Sequence, residues 1–104
     1  MGVDVAWTTE RKEHEHIVGD SFQTISRLAL SRWSKLNETV CLRFIDAYGD
    51  TVFNQAQMPV LLTELEADAA LQDTTKDREH IEKIITLVAS ALGSTHTYIV
   101  FIGD

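Results

Sequence analysis

Between Cys41 and Pro59 the chain reads CLRFIDAYGDTVFNQAQMP, with Asp46, Tyr48, Asp50 and Asn54 set between apolar runs. Carboxylate oxygens suit hard divalent cations, so Asp46 and Asp50, together with Asp104, are candidate ligands for a metal that activates water. The same residues also make a good turn. Asp46 can accept from the backbone ahead of it, and Gly49 can take the left-handed position of a three-residue hairpin loop. That reading gives every residue a local reason except Tyr48, and two carboxylates four apart fall short of a calcium loop. The turn is the expected structure, with Tyr48 and Asp50 at its tip as candidate partner contacts.

Three other sets carry chemistry. His14 and His16, in HEH, would share one face of a strand and could ligate zinc if His80, His96 or a carboxylate completed the set. With Asp46 and Asp50 they define the alternative reading, a metal-binding protein or metal-dependent hydrolase. Cys41 is the single cysteine, so no intramolecular disulfide forms; among apolar neighbours it is expected to be buried and inert rather than a nucleophile. Arg27, Arg32, Lys35 and Arg43 with Trp33 make a basic segment that could hold an anion. Trp33 nevertheless falls on an apolar stripe, which assigns it to the core. No glycine-rich phosphate loop, GxSxG, CxxC or HExxH occurs.

The elements that must position these residues follow from periodicity. Val3, Val5 and Trp7 alternate as in a strand, and residues 1–19 are expected to be a mobile N-terminal segment or an edge strand. Asp20 with Gln23 resembles a capping box, ahead of a helix over 21–36 whose stripe is Phe22, Ile25, Leu28, Ala29, Trp33 and Leu36, ended by Asn37. Val40–Asp46 alternates as a strand, and TVFN follows as a shorter one. Pro59 suits the first turn of a helix with Leu61, Leu62, Leu65 and Ala69 inward and Glu64, Glu66 and Asp68 outward. Thr74 and Asp77 open a last helix with Ile81, Ile84, Ile85, Val88 and Leu92 as its stripe, closed by Gly93. The ending THTYIVFIGD reads as an interior strand. The order is (β)-α-β-β-α-α-β: an α+β two-layer domain with a small, mostly antiparallel sheet of about three or four strands.

At 104 residues, 44% apolar and 24% charged, the chain fits one globular domain, residues 1–104, able to bury about 65% of its unfolded surface. No apolar run long enough for a signal peptide or a membrane span occurs, so a soluble, cytoplasmic protein is expected. The net charge of −7 argues against a general nucleic-acid binder. Residues 21–43 carry +3 while residues 44–104 carry −7, which suggests two electrically distinct faces. With no assembled catalytic set, the expected function is a non-enzymatic binding protein without a cofactor, an inhibitor or immunity-type protein that recognises a basic macromolecule. Its expected contacts are Glu64, Glu66 and Asp68 on the second helix, with Tyr48 and Asp50 beside them. A structural role as a homodimer is a further alternative.

Overall fold

The computed structural model describes residues 2–11 and 13–103. Among these, strands β1 (Asp4–Thr9), β2 (His14–Val18), β3 (Asp50–Phe53) and β4 (Thr97–Ile102) form one antiparallel sheet in the order β2-β1-β4-β3. Helices α1 (Thr24–Ser31), α2 (Met58–Ala69) and α3 (Thr75–Ala91) complete an α+β domain of order β-β-α-β-α-α-β. Among the described residues no helix is long and apolar enough to cross a membrane.

Helices cover one face of the sheet. Val3, Val5, Phe53, Ile99 and Phe101 join Ile25, Leu28, Trp33, Leu61, Leu65, Ile81, Ile84 and Val88 in a single buried cluster. Burying this many large side chains at about 25 cal/mol per Å² is the main force holding the two layers together. As the apolar ending predicts, β4 lies inside the sheet, with Ile99, Val100 and Phe101 all buried. Residues 4–18 supply two strands, of which β2 forms one sheet edge.

The last helix forms as its sequence dictates. The Thr74 hydroxyl accepts from the Asp77 amide at 3.2 Å, satisfying one of the donors that a helix start leaves unpaired. Gly93 follows the helix at φ 89°, a conformation that costs glycine little. An added restraint comes from Gln55, whose amide nitrogen donates to the carbonyls of Ala91, Ser94 and Thr97 while its oxygen accepts from Gly93. One side chain thereby ties the turn after α3 to the start of β4.

Three expectations need correction. The segment Val40–Asp46 is no strand: Leu42–Phe44 is a short 3-10 turn, Val40 and Phe44 are exposed, and Cys41, Leu42 and Ile45 are buried. The reason lies on α2. The Glu64 carboxylate accepts from the amides of Val40, Cys41 and Leu42 at 2.7, 3.1 and 2.9 Å, so those donors cannot enter a ladder. Asp46–Asp50 is accordingly a turn leading into β3 rather than the tip of a hairpin.

The first helix is shorter than 21–36, running Thr24–Ser31 and then a 3-10 turn at Trp33–Lys35, and Asn37 does not take the left-handed conformation. Asp20 does serve its start, accepting from the Ile25 and Ser26 amides at 3.1 and 3.0 Å, but Gln23 stands in the left-handed region at φ 56° and makes no capping bond. Phe22 is exposed, with the Lys76 ammonium 4.2 Å from its ring centre.

Finally, Glu64 and Asp68 do not point outward from α2. Glu64 holds the 40–42 amides, and Asp68, 3% exposed, pairs with Arg32 and accepts from the Gln72 amide at 3.0 Å. Only Glu66 of the three faces solvent.

Candidate functional site

Among the described residues no helix lies over the other face of the sheet, whose hollow is lined by strand residues and Glu10. In an antiparallel ladder, directly opposed residues share a face and successive residues alternate. Asp4, Ile102 and Asp50 lie in register across β1, β4 and β3, as do Ala6, Val100 and Val52. Thr8 opposes Tyr98 on one side and His14 on the other. Three rows therefore cross this face: one with two carboxylates, a central apolar one, and one of His14, Thr8 and Tyr98.

Ala6 and Val100 are buried yet stand outside the cluster shared with the helices. As small side chains on the two central strands they are hemmed in by their neighbours on the same face. Val52 on the edge strand is 53% exposed. The face carries a hollow of about 430 Å³ lined by Thr8, His14, Asp50, Val52, Tyr98 and Val100, with Thr9 and Glu10 at one end.

A bulge decides which histidine reaches it. Val5 opposes Val18 and Trp7 opposes Glu15, so His16 and Ile17 together face the single residue Ala6. His16 absorbs the extra residue at φ 52°. Its ring meets the Trp7 ring edge-on at 4.8 Å, beside Val18 and Leu87 on the helix side. His14 stays with the uncovered face, so the expected pairing of His14 and His16 on one side does not occur. Ile17, next to the inward Val18, is exposed.

The other metal candidates are also separated. The Asp46 carboxylate accepts from the Tyr48 amide at 2.8 Å, and the Asp46 amide donates to the Thr51 hydroxyl at 3.1 Å. Gly103 anchors this turn to the end of β4 by donating to the Gly49 carbonyl at 2.9 Å; a Cβ at Gly103 would collide with the backbone of Asp46 and Gly49. His96 pairs with Glu10 at 2.6 Å. Among the described residues no three His, Cys, Asp or Glu side chains converge as a metal site, and Asp104 lies outside those residues.

The basic segment is largely neutralised from within. Arg27 pairs with Asp77 at 2.7 Å, Arg32 pairs with Asp68, Arg43 lies over the Phe44 ring at 4.7 Å, and Trp33 is fully buried. A hollow of about 540 Å³ between the 32–42 segment and α2, walled by Leu36, Leu42 and Leu71, is larger than the one on the sheet. Of its charged side chains, Arg32, Glu64 and Asp68 have partners within the fold, while Lys35 and Glu38 are exposed and have none among the described residues. Cys41, 1% exposed, has its thiol pushed up to about 11 by burial and by the Glu64 carboxylate, so it stays protonated near neutrality.

A buried polar hub completes the inventory. Asp20 accepts from the Val3 amide at 2.9 Å, in addition to Ile25 and Ser26, and lies 3.3 Å from the His80 Nε2 on α3. Burial pushes the Asp20 carboxyl up, but His80 and the three amides outweigh it and leave the group below the usual carboxylate value. The hub joins the start of β1 to α1 and α3, and it is closed to solvent.

Of the expected contacts, Asp50 lies on the uncovered face, exposed and without an ion pair or side-chain hydrogen bond among the described residues, and Tyr48 stands 64% exposed on the turn before it. Glu66 lies apart on α2. Tyr98, Val52, Val100 and Thr8 were missed as site residues. Their alternation in THTYIVFIGD and DTVF was the available signal, but it does not say which face the helices cover. No protein-family model, curated protein or solved structure matches the chain.

Proposed function

We propose that the chain is a non-catalytic binding module whose contact surface is the uncovered face of its sheet, and that its partner is a macromolecule with a basic surface. An inhibitor or immunity-type role belongs to this class. The observation that carries the reading is the composition of that face: an apolar centre, Ala6, Val100 and Val52, with Asp4 and Asp50 along one side and, among the described residues, no lysine or arginine lining its hollow. Apolar centres with charged margins suit protein partners, and a net charge of −7 favours a cationic one. Glu64 and Asp68 drop out of the expected contact set, because both already have partners within the fold. Glu66 faces solvent but lies apart from this face on α2, so Tyr48 and Asp50 remain.

The test is capture by the intact chain and by two charge-reversal variants at rising salt. Partners retained by the native chain should have basic surfaces, elute as salt rises, and be lost from Asp50→Lys while remaining on Glu66→Lys. Retention that is insensitive to salt, or equally lost from both variants, overturns the reading. Half-exposed Val52 at the edge of the apolar row favours a second reading, in which another copy of the chain covers the face. A sizing profile that shifts to a dimer with concentration, and returns to monomer with Val52→Lys, would establish that instead.

A further inference from the structure

The hollow on the uncovered face combines three things that are rarely together by accident of surface composition. Val100, buried at the sheet centre, gives it an apolar floor, and half-exposed Val52 an apolar side. Tyr98 places a half-buried aromatic ring in it. Asp50 contributes a carboxylate that no described residue satisfies, in contrast to Glu10 at the far end, which is held by His96.

An apolar floor accepts the methylene stem of a long cationic side chain. An aromatic ring attracts the cationic head, and an unpaired carboxylate can take charge-assisted hydrogen bonds from it. Arginine meets all three demands better than lysine, because its planar guanidinium stacks on a ring and presents a fork of donors at the same time. The volume of about 430 Å³ admits one such side chain with its solvent. A second copy is disfavoured by charge, since each copy carries a net −7.

We infer that this hollow receives an arginine side chain of a basic protein partner, lying over Val52 and Val100 between the Tyr98 ring on one side and the Asp50 carboxylate on the other. The inference rests on the reading of the uncovered face as the contact surface, and names the chemistry recognised there.

Three blocked tripeptides, with arginine, lysine or neutral citrulline at the centre, are titrated into the isotope-labelled full chain and followed by amide shifts. The arginine peptide should produce saturable shifts confined to residues 50–53, 97–101 and 8, with lysine weaker and citrulline silent. Asp50→Asn should weaken the arginine peptide roughly tenfold, the loss of about one charge-assisted bond. Tyr98→Leu, accepted only if its amide spectrum stays dispersed, should erase the preference for arginine over lysine; Val52→Lys serves as the replacement test on an exposed site, and should abolish binding. Shifts spread evenly over Glu66 and the rest of the acidic surface, binding of citrulline as tight as arginine, or no response to Asp50→Asn overturns the inference. Failure of the peptides while a captured basic partner still depends on Asp50 and Val52 would remove the arginine pocket and leave the contact surface standing. Loss of both would remove both.

Discussion

Glu64 and Asp50 are carboxylates in the same acidic half of the chain, and the fold puts them to opposite uses. Glu64 gathers three backbone amides at 2.7, 2.9 and 3.1 Å and thereby shapes the 40–42 segment, while Asp50 stands on an open sheet face with no partner among the described residues. Asp20 and Asp68 behave like Glu64: the first collects the amides of Val3, Ile25 and Ser26, the second pairs with Arg32. Of the four carboxylates that sequence assigns to a recognition surface, Asp50, Glu64, Glu66 and Asp68, two are therefore structural. The contact surface proposed above keeps Asp50, with Val52 and Tyr98 lining the same hollow.

The contrast is broken or sharpened by removing one carboxylate at a time. The largest effect should come from Asp20→Ala, which strands three amides and His80 in the interior and should cost about 3–5 kcal/mol, as for breaking a buried pair. Chemical denaturation measures it. The pH dependence has a definite sign. Because the folded-state pKa of Asp20 lies below its unfolded value, its contribution is fully present above the usual carboxylate pKa of about 3.9 and is lost as pH falls through the folded value. Asp77, whose burial is outweighed by bonds from Thr24, Thr74 and Arg27, acts in the same direction. The native chain should lose stability on acidification below that range, and Asp20→Ala should show a shallower acid slope.

Glu64→Ala comes next. Freeing the Val40, Cys41 and Leu42 amides should cost about 2 kcal/mol, in the range for hydrogen bonds to a charged acceptor. Hydrogen exchange should quicken at those three amides before it quickens in α3. Unchanged exchange there would show that the 3-10 turn stands without its carboxylate. The smallest stability effects should come from Asp50→Asn and Glu66→Gln, each within about 0.5 kcal/mol of the native chain in the same unfolding experiment. These two should then separate in binding, with only Asp50→Asn weakened.

The pattern of successes and corrections in reading the sequence follows the range of the interactions involved. Helix α3 was legible because its cap, stripe and terminal glycine, Thr74, Ile81 through Val88 and Gly93, all lie within the helix or next to it. The interior position of β4 was legible from Ile99, Val100 and Phe101, buried on both faces. The segment at Val40–Asp46 was not, although it alternates well, because its geometry is decided by a carboxylate on α2. No local pattern in CLRFID records that three of its neighbouring amides belong to Glu64. The same holds for the pair at Arg32 and Asp68, which turned an expected outward acid inward, and for the bulge at His16. A left-handed conformation at histidine leaves no glycine to announce it, so HEH reads as a strand with both rings on one side. Asp50 and Tyr48 were singled out as candidate contacts because they are polar or aromatic at a turn. Val52, Val100 and Tyr98 were not, because strand residues look alike until the helices have chosen a face.

Carbodiimide labelling of carboxylates, read by mass spectrometry on the intact fold with and without the blocked arginine tripeptide, tests the central contrast most directly. Asp50 and Glu66 should label readily, Glu64, Asp68 and Asp20 should label far more slowly, and the peptide should protect Asp50 while leaving Glu66 unchanged. Glu64 and Asp68 labelling as fast as Asp50, or peptide protection appearing on α2 instead of β3, would contradict the account.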